Sequence, residues 1–392
     1  MNFKFRTFLA FTIACVLLQA RDLQGQGSIF KAVRTPNENF NNDIFSSSAS
    51  SPSDIWAVGE EAIHFNGTSW TAFPVPMISG TASELMGVFD ISPTEAWAAG
   101  NINIGLANPN QVIVHWNGTA WSVVPGPPFE TGDQPSIFTM TGTSGTDIWA
   151  IGDLLADGGN LLTGLFEHFD GEKWTASLGG EGIPFINNSS ADATNDVWAV
   201  GYNAAVIDED STLAMHFDGT SWSTVSTPNV GSGNNTLEGV VALAPNNVWA
   251  VGYSTPEPPP QSPATLTLIE HFDGTSWSAV PSPNVGPANS YQSNRLFGIT
   301  ANSPTDIYAF GSYFASDGSG HQMTLLEHWD GTSWTILPSP NPEIKPRNGS
   351  PGFLSDVLFT GVVPSPGNVW ILGSEDDAPH EGSLALNTTT GD

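Results

Sequence analysis

The sequence predicts an all-β fold, a seven-bladed β-propeller of four-stranded antiparallel blades, and three observations indicate it. One short motif occurs seven times and a second motif occurs six times along the 392 residues. Charged residues are only 12% of the chain, against about 25% in a typical soluble domain. Surface helices need many Lys, Glu and Arg side chains, so this scarcity, together with 41 Gly and 30 Pro, favours strands and turns over helices.

The seven-fold motif has the form Asp/Asn–Val/Ile–aromatic–Ala–Val–Gly, as in DVWAVG at 196–201. Its copies are 41 to 62 residues apart, at or near the blade period of about 40–50 residues in propellers. We expect each copy to be the second strand of a blade. The aromatic residues of the copies are Trp56, Trp97, Trp149, Trp198, Trp249, Tyr308 and Trp370.

The six-fold motif reads HFDGTSW at His216–Trp222 and at His271–Trp277, with close copies at 64–70, 115–121, 168–174 and 328–334. Asp-Gly or Asn-Gly between alternating residues is a strong hairpin signal and predicts a type I′ turn with Asp and Gly at its centre. The motif therefore predicts the outer hairpin of a blade. A histidine that recurs in every hairpin does not mark one site, so we interpret the motif histidines as structural.

The two ends of the chain predict how the ring closes. GSIFKAVRTPN at 27–37 aligns without a gap on GTSWSAVPSPN at 274–284, which puts Phe30 in the position of Trp277. SLALNTTTGD at 383–392 provides a third strand and then stops. We expect the N-terminal strand to complete the last blade, which would remove an open sheet edge.

The first residues predict export. MNFKFR is basic, and the apolar run 7–20 that follows is too short to span a bilayer. We predict a signal peptide over 1–25, cut near 20–25, and a single propeller domain over 26–392 in the periplasm or outside the cell. Later segments are not apolar enough for membrane insertion. A formal charge of −30 disfavours nucleic acid and anionic lipid as partners, and we expect a monomer.

The repeats resemble those of secreted bacterial β-propellers related to the Asp-box (BNR, sialidase-type) and photosystem-assembly-factor-like families. The resemblance covers about residues 27–392 and rests on W-A-V-G, a variable loop, H-F/W-D/N-G-T-x-W and then S-P-x-D-V/I-W. The chain departs from the Asp-box itself, which has a residue between Asp and Gly. Members of this group range from sialidases to assembly factors and scaffolds, so the resemblance implies the fold but not one activity.

Variable loops predict where a ligand would bind. The turns between first and second strands and between third and fourth strands are short, whereas the second–third loops and the connections between blades vary and share the other face. Arg grips carboxylates, Tyr stacks on sugars and His supports acid–base chemistry. Residues of these types outside the repeat are Arg295, Arg347, Tyr291, Tyr202, Tyr253, Tyr313, His321 and His380.

The same loops are acidic, and no cofactor is indicated. Oxygen-rich loops could take Ca²⁺, but no EF-hand-like ligand spacing is present, and a solvated acidic surface is the alternative interpretation. The acidic residues are Asp153, Asp157, Asp208, Glu209, Asp210, Asp317, Glu375, Asp376, Asp377 and Glu381.

Three functions are compatible with this pattern. No nucleophile elbow, HExxH motif or phosphate-binding Gly loop occurs in the sequence, which favours a non-enzymatic propeller that binds a protein or carbohydrate through its loop-rich face. One alternative is a glycan-processing enzyme of sialidase or polysaccharide-lyase type, for which the required arginine triad is hard to assemble. The other is a purely structural surface protein.

Overall fold

The computed structural model describes residues 29–36, 43–76, 83–102, 110–156, 161–179, 184–204, 209–256, 264–286, 293–315, 321–341, 355–377 and 380–388. Within these ranges the regular elements are β-strands, as the composition predicts. The described part of the chain contains no helix that is long and apolar enough to span a bilayer. The predicted signal peptide lies outside the described residues and stays a prediction.

The strands follow the repeat. The first is β1 (Phe30–Val33). Blade one contains β2 (Ile44–Ser51), β3 (Asp54–Gly59), β4 (Ala62–Phe65) and β5 (Trp70–Phe73). Blade two contains β6 (Ser83–Ser92), β7 (Glu95–Ile102), β8 (Asn110–Trp116) and β9 (Trp121–Val124). Blade three contains β10 (Gln134–Ser144), β11 (Asp147–Ala156), β12 (Leu161–Phe169) and β13 (Trp174–Gly179). Blade four contains β14 (Pro184–Ala193), β15 (Asp196–Asn203), β16 (Ser211–Phe217) and β17 (Trp222–Val225).

The remaining blades continue this order. Blade five contains β18 (Asn235–Ala244), β19 (Asn247–Ser254), β20 (Leu266–Phe272) and β21 (Trp277–Val280). Blade six contains β22 (Asn294–Ser303), β23 (Asp306–Phe314), β24 (Gln322–Trp329) and β25 (Trp334–Ile336). Blade seven contains β26 (Ser355–Ser365), β27 (Asn368–Asp377) and β28 (His380–Thr388), with β1 as its fourth strand.

The blades form a closed ring. Five of them are separate four-stranded antiparallel sheets, and blades six and seven are joined by one parallel bridge between Gln322 and Ser355. Each first strand packs against the first strand of the next blade all the way round, including β2 against β26. The first strands are therefore innermost and surround a central channel. The predicted seven-bladed fold is confirmed.

Ring closure occurs in the predicted register. β1 pairs with β28 from Phe30 opposite Thr388 to Val33 opposite Ala385, and Phe30 is 1% exposed. Just after β1, the Thr35 hydroxyl donates to the Ser383 carbonyl at 2.8 Å. The same Thr/Ser-Pro-Asn segment binds the third strand in blade five, where the Thr267 hydroxyl donates to the Pro283 carbonyl at 3.1 Å. The terminal strands thus reproduce an ordinary blade.

Aromatic pairs hold neighbouring blades together. The aromatic residue that begins each fourth strand packs edge-on against the second-strand aromatic residue of the preceding blade, with ring centroids 4.9 to 5.7 Å apart. Such edge-to-face pairs add to the free energy of burial. The pair formed by Phe30 and Tyr308 continues this series across the closure, so the apolar core lies between the blades.

The motif histidines stabilise the blades, as the repeat predicts. Each stacks on the second-strand aromatic residue of its own blade, with centroids 4.3 to 4.8 Å apart. In five blades its Nε2 lies 2.6 to 2.8 Å from an Asp or Asn oxygen at the start of the second strand. In blade seven Asn387 occupies this position and donates to Asn368 at 2.8 Å.

The outer hairpin exists in all six predicted places, but the assignment of its central residues was wrong. The Asp218 amide donates to the Ser221 carbonyl, so Gly219 and Thr220 are at the centre of the turn. The Asp218 side chain instead accepts the amides of Thr220 and Ser221 at 2.8 and 3.0 Å. Gly219 supplies the positive φ of 91°. The Asp or Asn at this position therefore serves as a hydrogen-bond acceptor in the turn.

Candidate functional site

Every first strand carries a β-bulge at the same place, near the loop-rich face. The register shifts by one residue around Phe297 in β22, and the same shift occurs in the other six first strands. A bulge leaves one residue unpaired and redirects its side chain. These residues are half-buried although the first strands are innermost, so they face the channel. They are Phe45, Met86, Phe138, Asn187, Glu238, Phe297 and Phe359.

This ring of bulge residues is asymmetric. The residues from blades six, seven, one, two and three are apolar, and three of them touch in series. Phe297 and Phe45 both contact Phe359, with ring centroids 5.5 and 5.8 Å apart. Blades four and five instead provide Asn187, whose amide donates to the Leu237 carbonyl at 2.8 Å, and Glu238. The channel mouth therefore has an apolar side and a polar side.

The polar side brings together Arg295 and Tyr253, which the sequence analysis placed on the same rim. The Arg295 guanidinium lies over the Tyr253 ring, 4.5 Å from its centroid, in cation–π geometry. The Nε of Arg295 is buried without a hydrogen-bond partner in the described part of the chain. Arg295 is the second residue of β22 rather than a residue ahead of it. Its cationic group is thereby fixed beside the channel mouth.

Tyr202 extends this group into blade four. It follows the motif glycine of β15, as Tyr253 follows that of β19, and it stacks on Phe185 with centroids 5.0 Å apart and an interplanar angle of 13°. Burial is the main cause that raises the pKa of Tyr202, and Asp210 and Tyr253 raise it further. Three aromatic rings, those of Phe185, Tyr202 and Tyr253, thus follow one another along the rim from blade four to blade five.

Glu238 is the acidic member of this group. Burial raises its pKa to about 7, while the nearby Arg295 lowers it. Burial, and after it Glu238, raise the pKa of Tyr253. Burial and Glu238 thus favour the protonated phenol of Tyr253 over its phenolate. The arrangement of aromatic faces, one cation and one carboxyl is suited to holding a ligand.

Tyr313 does not join this group. It lies one residue further from its motif glycine than Tyr202 and Tyr253 do from theirs, and successive side chains of a strand point to opposite faces. It packs instead on the apolar cluster between blades five and six. Burial raises its pKa.

The structure does not assemble the other sequence-predicted residues into one site. Arg347 and Tyr291 lie outside the described residues. His321 is half-buried just before β24, where its carbonyl accepts the Ala315 amide at 2.8 Å. His380 is the first residue of β28, opposite Asp377 in the sheet. His321 thus precedes the third strand of blade six, and His380 begins the third strand of blade seven.

One of the acidic loop residues is structural. Asp153 lies within β11, is 4% exposed and accepts the Ile186 amide of the next blade at 3.3 Å. Burial raises its pKa to about 7. Its interpretation as a solvated loop residue was therefore wrong, because β11 extends further than the motif indicates. In the ranges that the structure describes, no group of three or more His, Cys, Asp or Glu side chains is placed to hold a metal ion.

Sequence reasoning missed the bulge residues. Each follows a buried Leu or Ile and precedes a small residue in most blades, as in LFG at 296–298 and LEG at 237–239. A superposition of the seven first strands would have shown this position. Glu238 and Asn187 would then have stood out as its polar exceptions.

Comparison with known proteins supports the fold. No family model and no curated protein matches the chain. Among solved structures, it is similar to YCF48 bound to D1 peptide, with a TM-score of 0.56, 14% identity and coverage of 93% of this chain and 98% of that one. It is also similar to the WD40 β-propeller domain of Doa1, with a TM-score of 0.52, 10% identity and coverage of 90% and 95%.

A third similar structure is the sialidase of Trypanosoma rangeli, with a TM-score of 0.47 and 9% identity over 91% of this chain and 59% of that one. At identities this low, likeness establishes the fold and leaves the activity open. The distant resemblance to photosystem-assembly-factor-like propellers is confirmed by the likeness to YCF48. The chain is a β-propeller.

Proposed function

We propose that this protein is a secreted, non-enzymatic propeller that binds a segment of a partner protein at its channel mouth, on the loop-rich face. The observation that carries the proposal is the group formed by Arg295, Tyr253 and Tyr202. A fixed guanidinium can hold a carboxylate of the partner. Adjacent aromatic rings offer large, rigid contact surfaces at low entropic cost. The solved structure of YCF48, a propeller of similar fold, contains a bound peptide.

Carbohydrate is the second candidate partner. The stacked rings of Phe185 and Tyr202 are half-buried, so part of each ring is accessible at the rim. Aromatic rings that carry a hydroxyl group are suited to sugar binding. An acidic sugar would place its carboxylate on Arg295. A glycan-processing reaction has less support, because the sequence contains no nucleophile elbow or HExxH motif.

Parallel arrays of immobilised peptides and glycans test this proposal with the purified protein. We expect selective peptide binding, reduced about tenfold or more by Arg295→Ala or Tyr253→Ala, since loss of a charged hydrogen bond costs about 1.5–3 kcal/mol. Lys173→Ala is the matched control. It removes one positive charge from an exposed hairpin on the opposite face, and peptide binding should not change.

Other outcomes would contradict the proposal in distinct ways. Glycan binding that depends on Arg295 without any peptide binding would replace the protein partner by a carbohydrate. Turnover of a bound glycan would establish an enzyme. Blank arrays from a folded protein would favour a purely structural role.

A further inference from the structure

A cleft of about 300 Å³ opens on the loop-rich face where blades six, seven and one meet. Its volume is at the lower end of the range of about 300–1,000 Å³ for ligand pockets, so it fits one side chain rather than a large ligand. The lining residues that matter here are Phe297, Phe359, Asp43, Glu375, Gln322 and Ser355.

Aromatic rings form the apolar part of the cleft. Phe297 and Phe359 are bulge residues of neighbouring blades, and their ring centroids are 5.5 Å apart at an interplanar angle of 51°. Both are half-buried, so parts of their rings remain open to the channel mouth. The faces of phenyl rings carry negative partial charge and attract cations.

The charged part of the cleft is acidic. Asp43 of blade one and Glu375 of blade seven are its acidic residues, and among the described residues that line the cleft there is no Lys or Arg. Asp43 also acts on Glu84 of blade two, whose pKa is raised mainly by burial and further by Asp43. Asp43 and Glu375 both line the cleft, and carboxylates there would stabilise a cation.

The polar wall of the cleft is held in place by its own hydrogen bonds. The Gln322 amide donates to the Ser312 hydroxyl at 2.6 Å, and its carbonyl accepts the Ser355 hydroxyl at 2.9 Å. These bonds lie beside the bridge that joins blades six and seven. A wall fixed in this way loses little entropy when a ligand binds.

We infer that this cleft binds the side chain of a lysine or arginine in the partner segment, an inference that rests on the proposed function. The aliphatic stem packs on Phe297 and Phe359, and the cationic end lies against Asp43 and Glu375. Arg295 points away from the cleft, over Tyr253 of blade five. The channel mouth therefore carries the cationic Arg295 and, separately, the acidic residues of the cleft, which fits a segment that carries an acidic and a basic group.

An array of 12-residue peptides tests the inference, with one position occupied by Lys, Arg, norleucine or Glu on several backgrounds. Norleucine keeps an apolar stem and lacks the charge. We expect the full-length protein to bind Lys or Arg peptides about tenfold more tightly than their norleucine counterparts. Asp43→Asn combined with Glu375→Gln should abolish this preference, and added salt should weaken it.

The matched control is Glu130→Gln combined with Asp133→Asn. It removes two acidic groups from the connection between blades two and three, which belongs to the same face, and the preference should persist. Phe359→Leu keeps an apolar surface but removes the ring, and it should reduce the preference about two- to fivefold. Thermal melting of each variant establishes that it is folded.

A second probe separates this inference from the proposed function. Nα-acetyl-lysine methylamide and its norleucine analogue are titrated and followed by ligand NMR. Selective broadening of the lysine compound, lost in the Asp43/Glu375 double variant, supports the cleft even when the peptide array is blank. Equal behaviour of the two compounds, or a preference unchanged in the double variant, overturns it. Peptides bound without regard to Lys or Arg overturn it too, while the proposed function stands.

Discussion

At the scale of single residues, exceptions to the repeat are the informative positions. The third strands place a residue between blades just before the motif histidine, and it is apolar in four blades, as with Met215. In three blades it is a fully buried glutamate, Glu167, Glu270 or Glu327. Burial raises the pKa of each to about 8, because a carboxylate is costly in an apolar environment.

These glutamates predict that stability falls as pH rises. The unfolded glutamate loses its proton near 4.5, whereas the folded one keeps it to about 8. Between these values the folded state binds more protons, so the free energy of unfolding falls by up to about 1.4 kcal/mol per pH unit for each group. Glu270→Gln should reduce this slope, so its stability relative to that of the wild type should be higher at pH 8 than at pH 5. Urea unfolding at the two pH values measures it.

Glu270 is the best choice because burial is the single cause of its pKa shift, whereas hydrogen bonds from Gln111 and Ser282 lower the pKa values of Glu167 and Glu327. Glu172→Gln, on an exposed hairpin, is the control and should leave the slope unchanged. A slope that is equal in wild type and Glu270→Gln would mean that the buried carboxyl is ionised across this range.

Some site residues could be predicted from the sequence and others could not. Tyr202 and Tyr253 follow the motif glycine directly, so the repeat alone places them at equivalent positions. Tyr313 is one residue further along, and strand alternation puts it on the other face. Glu238 and Phe297 are bulge residues, and the position of the bulge becomes visible only when the seven first strands are compared.

At the scale of elements, the first strands are held close by small residues. A Cβ added at Gly239 would lie 2.9 Å from the Cα of Gly298 in the next blade. Where the first strands lack such glycines, hydroxyl groups bridge them, as when the Ser48 hydroxyl accepts the Asp90 amide at 2.9 Å. The spacing of the inner ring is therefore set by backbone contact in some blades and by side-chain hydrogen bonds in others.

Gly239→Ala should destabilise the protein by about 1–3 kcal/mol, because the added methyl group must push two backbones apart. Chemical denaturation measures the loss. Gly179→Ala, in the outer strand β13, is the control, since its added Cβ meets neighbours no closer than 3.6 Å. Equal stability of the two variants would show that the inner ring adjusts its spacing freely.

The existence and order of the strands could be predicted because two motifs recur with turn signals between them. The chemistry of the turn was harder to predict. The dipeptide Asp218–Gly219 is compatible with a turn centred on these two residues and with a turn centred one residue later. Only the hydrogen bond from the Asp218 amide to the Ser221 carbonyl identifies the central residues. A local pattern thus predicts that a hairpin forms more reliably than it predicts the role of each residue.

At the scale of the whole molecule, closure of the ring depends on the pairing of one strand, β1, with β28. Phe30 is almost fully buried against Tyr308 of blade six. Phe30→Ala should destabilise the protein by about 3–5 kcal/mol. Ile29→Ala is the control, because Ile29 is 53% exposed, and its melting temperature should match that of the wild type. A melting temperature for Phe30→Ala that equals the control would contradict the contribution of this strand.

Deletion of residues 27–38 removes the closing strand altogether. We expect a large fall in melting temperature and a tendency to associate, because the edge of β28 becomes available to another chain. Unchanged melting would contradict the closure model. Concentration-dependent sedimentation of the deletion variant tests the second expectation.

The ring could be predicted from the sequence because the number of motif copies gives the number of blades, and because the two terminal segments together form one complete blade. The ligand could not be predicted in the same way. Arg295, Glu238 and the cleft residues come from different blades, and only the assembled ring brings them to one face.

The closure also has a consequence for the time course of biogenesis. The Thr35–Ser383 hydrogen bond joins residues 348 positions apart, so β1 leaves the ribosome long before its partner exists. Until β28 follows, the growing chain carries an incomplete blade at each end, and contacts this remote are slow to form. The ring can close only once β28 has followed β1, and until then β1 lacks its pairing partner and has an unpaired edge.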